Sequence, residues 1–108
     1  MNRCARDEAV RADADLDRVL HVLLIEAAKE PFGAEKVRAA QTAWLTYRDA
    51  YIEAIYPARD KQVYGSIYPT ERDRLRSKLT TRQVEGLQQM LDHYTGADQP
   101  GTAGRQPR

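Results

Sequence analysis

At 108 residues the chain has room for one domain with a modest core and is too short for two. A hydrophobic content of 42%, a charged content of 31% and a net charge of +1 suit a globular helical protein and exclude an overall electrostatic bias toward nucleic acid or a membrane surface. That near-neutrality hides a gradient, because residues 1–30 carry five Lys/Arg against seven Asp/Glu while residues 61–94 carry six against four.

The first predicted element is a helix from about Arg3 to Lys29. Ala5, Ala9, Ala12, Leu16, Val19, Leu23 and Ala27 recur at spacings of three and four with no internal Gly or Pro. Pro31-Phe32-Gly33 stops it. Its longest apolar run, Val22-Leu23-Leu24-Ile25, is far too short to span a bilayer. A second helix is predicted from about Ala34 to Tyr56, with Val37, Ala40, Trp44, Tyr47, Tyr51 and Ile55 in register and Pro57 ending it. Helices this long are not stable alone, so the two stripes are expected to pack as an antiparallel hairpin roughly 35–40 Å long.

Residues 57–69 read as a loop bracketed by Pro57 and Pro69, with Gly65-Ser66 as its turn. Thr70 is predicted to cap a third helix, with Asp73 in capping-box position and Glu71 in the first turn. Leu75 and Leu79 make one apolar face, but Val84, Leu87, Leu91 and Tyr94 fall out of phase with it. The slip, together with the tandem Thr80-Thr81, predicts a kink or break near residue 80. From Thr95 onward Gly, Pro, Asp and Gln dominate, so a disordered tail is expected. The fold class is therefore all-α: a long helical hairpin, a shorter kinked C-terminal arm, a domain over residues 1–94 and a tail over 95–108.

Little in the chain suggests catalysis. Adjacent Arg48 and Asp49 point about 100° apart on a helix and cannot act as one constellation. His21 and His93 lie on different helices with no Cys or carboxylate at ligand spacing, which argues against a metal site. The chain has neither a phosphate loop nor a dinucleotide fingerprint, and no cofactor is expected. Trp44 reads as the central anchor of the hairpin, packed on Leu16, Leu20 or Leu23, with a solvent-facing binding Trp as the alternative. For a hairpin turning near residue 32, partners sum to about 64, which sets Leu16 beside Arg48 with Asp13 and Asp17 flanking it within a turn; a charge-assisted bond to either would fix helix register. The arginines of the third helix spread around it rather than along one stripe, so a solvated surface is the default reading.

The stretch Arg59-Asp60-Lys61-Gln62-Val63-Tyr64-Gly65-Ser66-Ile67-Tyr68 is the best candidate for binding, because a loop with exposed Tyr, Lys, Arg and a Gly-Ser turn can enter a partner's cleft. Its candidate residues are Arg59, Lys61, Tyr64, Gly65, Ser66 and Tyr68. The competing reading is a turn whose tyrosines pack back onto the helices.

Four segments in order carry a family resemblance. Ala40-Gln41-Thr42-Ala43-Trp44-Leu45-Thr46-Tyr47-Arg48-Asp49-Ala50, with Gln41, Trp44 and Arg48 on one helical stripe, resembles the A-Q-x-A-W-x-x-[YF]-R-D-A signature of the LprI N-terminal domain family. Met1-Asn2-Arg3-Cys4-Ala5 with Ala12-Asp13-Ala14-Asp15-Leu16-Asp17, then Gly65-Ser66-Ile67-Tyr68-Pro69, then Leu79-Thr80 with Leu87, are similar to its opening, loop and closing motifs. The family usually has a Cys at the position of Ile52 and another near Leu75, so the disulfide the resemblance implies is absent with both its members. The closing motif's Arg falls on Gln83. Cys4 is left without an intramolecular partner, either an inert small apolar residue or half of a lost or intermolecular bridge.

The resemblance implies a small extracytoplasmic bacterial module, periplasmic or secreted, whose partner is a lysozyme or another envelope protein. Met1 coincides with a Met inside the opening motif, upstream of which a signal peptide would lie, and no signal-peptide apolar core follows it; the expectation is of a shortened precursor or a late-assigned start. Lysozymes work with two carboxylates across a saccharide groove, and a Ser hydroxyl or cationic side chain of the loop could bond them. Animal lysozymes are basic, so the acidic first helix would aid approach. The alternative is a structural or envelope-associated domain with no lysozyme target.

Overall fold

The computed structural model describes residues 3–97. These form α1 (Arg3–Ala27), α2 (Gly33–Ile55), a single 3-10 turn at Lys61–Tyr64 and α3 (Tyr68–Thr95), with no strand among the described residues. Every helix end lies within two residues of its predicted position. Among the described residues no helix is long and apolar enough to cross a membrane. The predicted tail beyond residue 97 lies outside the described residues.

The stripe of α1 is buried as its spacing requires: Ala5, Ala9, Ala12, Leu16, Val19, Leu23 and Ala27 all face inward. Leu23 is fully enclosed. With Val37 of α2 and Leu87 of α3, the larger members of this stripe make the core, against which Leu20, Trp44, Val84, Met90, Leu91 and Tyr94 pack from the margins.

The turn between α1 and α2 depends on Gly33. A Cβ there would stand 2.1 Å from the Ala27 carbonyl oxygen, a distance at which backbone must move. Phe32 takes the left-handed conformation, φ 64, and its ring is 72% exposed.

Cross-contacts give the helix directions. Arg48 of α2 meets Asp13 near the start of α1, while Val37 near the start of α2 joins Leu23 and Ala27, so these two helices run antiparallel as expected. Arg48 meets Thr80 and Gln41 meets Gln83, so α2 and α3 are antiparallel too. It follows that α1 and α3 are parallel. The closest helix pair is α1 with α3, and the alanines on the first half of the α1 stripe permit that approach, since interaxial distance follows the size of the contacting side chains.

The structure corrects three expectations. First, α3 runs without interruption across Thr80-Thr81 and at 28 residues is the longest helix. The phase slip is absorbed because α3 packs on both other helices at once, so neighbouring Leu79 and Thr80 are both buried and no break is needed. Second, α3 begins at Tyr68 with Ile67 at the N-cap and no side-chain cap bond; Thr70 and Asp73 lie buried inside the helix, where packing rather than capping places them. Third, the buried stripe of α2 is Val37, Gln41 and Arg48 with Trp44 and Tyr51 half-buried, whereas Ala40, Tyr47 and Ile55 are exposed. Polar groups of the neighbouring helices meet Gln41 and Arg48, and this draws the inward face toward them.

Candidate functional site

Two polar constellations stand out, one inside the helices and one at their end. The internal one centres on Arg48, whose side chain is only 8% exposed. Its guanidinium lies 5.1 Å from the Trp44 ring centroid, donates to Thr80 Oγ1 at 3.3 Å and to Asp49 at 3.4 Å, and pairs with Asp13 at 3.7 Å. Asp13 also accepts a 2.9 Å bond from Arg76. All three helices thus meet at one charged seam. Of the expected bond from Arg48 to Asp13 or Asp17 the structure has an ion pair with Asp13, whose facing Oδ1 makes no hydrogen bond, while Asp17 is exposed. Sequence reasoning placed Arg76 on the solvated surface; only the α1–α3 register brings it to Asp13. Trp44 caps the guanidinium as a half-buried wall rather than as a fully enclosed anchor. These contacts hold the three helices together.

The second constellation is the connection from α2 to α3. Lys61 turns inward: its Nζ bonds Glu53 at 3.0 Å, the Tyr56 carbonyl at 2.6 Å and the Ala58 carbonyl at 2.7 Å. The Tyr64 hydroxyl accepts from the Ala58 amide at 2.7 Å. Tyr56, Tyr64 and Tyr68 form a triad with ring centroids 5.1–5.6 Å apart, and Arg72 lies over Tyr68 at 5.6 Å. Asp60 accepts from the Gln62 amide at 3.0 Å, and Gly65, φ 83, makes the turn that a side chain would disfavour.

Of the six predicted loop residues, the structure therefore brings Lys61, Tyr64 and Tyr68 together as bracing. Arg59, Gly65 and Ser66 remain exposed. Tyrosines folded back were the competing reading, and that is their arrangement. Two exposed residues that sequence reasoning did not single out are Val63 and Ile67. Their apolar character amid polar neighbours was the available signal.

Among the described residues no group of His, Cys, Asp and Glu is arranged to hold a metal ion. Cys4 is a free, exposed thiol.

Fold and site together define a small three-helix module bearing one internally braced loop at an end of the bundle. The family model described as "Lysozyme inhibitor LprI" matches residues 1–87, and the chain belongs to that family. Among curated proteins and solved structures, none matches it.

Proposed function

We propose that this chain is a non-enzymatic, extracytoplasmic protein-binding module that inhibits a lysozyme, with the loop at residues 57–67 as its contact. The observation that carries this reading is family membership over residues 1–87; the loop is chosen because it ends a bundle whose sides are convex helix surfaces. A saccharide groove is concave and holds two catalytic carboxylates. The exposed Arg59 guanidinium and Ser66 hydroxyl are donors that carboxylates accept, and a cation there gains from charge-assisted geometry. Exposed Asp7, Glu8, Asp15 and Asp17 on α1 would steer a basic enzyme toward the module.

The test is a lysozyme turbidity assay with the parent, Arg59→Ala and Ser66→Ala. Inhibition by the parent that weakens in both variants supports the reading. Gly65 is left intact, because an Ala at its positive φ would strain the loop itself. A parent that leaves lysis unchanged would put the alternative, a structural envelope domain, in front.

A further inference from the structure

The same loop exposes two branched apolar side chains, Val63 at 67% and Ile67 at 54%, placed two residues to either side of Gly65. Single exposed aliphatics are ordinary on protein surfaces. These two differ in what holds them. The segment that bears them is pinned by the three bonds of Lys61, by the Tyr64 hydroxyl on the Ala58 amide, by Asp60 on the Gln62 amide and by the stacked tyrosines beneath. Loop order is thus already present in the free protein, so little conformational freedom is lost when a partner arrives.

Ile67 carries a second indication. It occupies the N-cap of α3, where it makes no side-chain cap bond, a position at which Ser, Thr, Asp or Asn commonly accepts a backbone amide. A helix of 28 residues thus opens on an exposed aliphatic group that neither caps it nor joins the core. Their neighbours along the chain, Arg59, Asp60, Gln62 and Ser66, are all exposed. An apolar centre with a polar rim is the usual plan of a protein-binding hot spot.

We propose that Val63 and Ile67 are the apolar anchors of this loop, packing beside the saccharide groove of a lysozyme while Arg59 and Ser66 reach its carboxylates. The proposal rests on the lysozyme reading and adds to it the source of the affinity: the anchors set the dissociation rate and the polar rim sets orientation. Lys61 and Tyr64, engaged internally, act as positioning residues.

The experiment measures binding and inhibition of a lysozyme by the parent, by V63S/I67S, and by V10S/V22S as a control on exposed positions of α1. Both loop positions are more than half exposed and Ser at residue 67 supplies the cap that Ile67 lacks, so the thermal transition is expected to hold or rise. V63S/I67S should weaken binding by about 30-fold or more, chiefly through faster dissociation, while V10S/V22S matches the parent. If the double variant lowers the transition, V63T/I67T, which keeps branching at both positions, is used for the same comparison. A parent that inhibits alongside a folded loop variant of equal strength overturns the anchor proposal alone. A parent that neither binds nor inhibits overturns the lysozyme reading and the anchors with it.

Discussion

Arg48 shows how a single side chain can organise three helices. Its guanidinium is held by an aromatic face, a hydroxyl and carboxylates, and removing it leaves Thr80 and Asp13 without that partner. Arg48→Ala is expected to destabilise the fold by about 1–3 kcal/mol in denaturant titration, the cost of leaving the buried Thr80 hydroxyl without its partner, since Asp13 is partly exposed and keeps Arg76. Arg48→Met should recover part of this, because it restores the stem without the charge. Trp44→Ala, at a half-buried position, should cost roughly 3 kcal/mol, the lower end for a large aromatic truncation; melting within a few degrees of the parent would show that its contact with Arg48 contributes little. The pairing of Arg48 with Asp13 was legible in the sequence, since a hairpin register needs only the place of the turn. The second cation on Asp13 was not, because Arg76 is 63 residues away and its position depends on a register between α1 and α3 that no local pattern encodes.

At the scale of elements, two glycines carry opposite expectations. Gly33 admits no side chain beside the Ala27 carbonyl, so Gly33→Ala should destabilise by more than about 2 kcal/mol, as substitutions that force backbone shifts do. Gly86 lies within α3, and a Cβ there meets only the end of the Gln83 side chain at 3.7 Å. Gly86→Ala is expected to raise stability by about 0.5–1 kcal/mol through helix propensity. A thermal scan of both variants checks both signs. Helix extents were readable because the apolar period and the Pro/Gly stops are local signals. The continuity of α3 was not: a single period assumes one buried face, and Thr80, which suggested a kink or break, instead receives a hydrogen bond from Arg48. Likewise the bracing role of Lys61 and Tyr64 is a matter of backbone carbonyls and amides within reach, which residue types do not reveal.

Considered whole, the molecule is elongated, 57 × 25 × 21 Å, and its two ends differ in kind. One holds the α1–α2 turn with the exposed, left-handed Phe32; the other holds the braced loop. The location of a candidate loop was legible from Pro57, Pro69 and Gly65-Ser66, but which of its side chains face outward followed only from the hydrogen bonds. Because α1 and α3 run parallel, the start of α1 shares an end with the loop, and the end of α3 lies a helix length away, about 42 Å for 28 residues at the standard rise. This polarity has a practical corollary for display and fusion. A bulky carrier joined at residue 3 would crowd the loop, whereas one joined after Thr95 would leave it pointing outward. On the proposed lysozyme reading, the protein immobilised by its C-terminal end on a sensor surface should capture a lysozyme from solution, and immobilised by its N-terminal end it should capture markedly less.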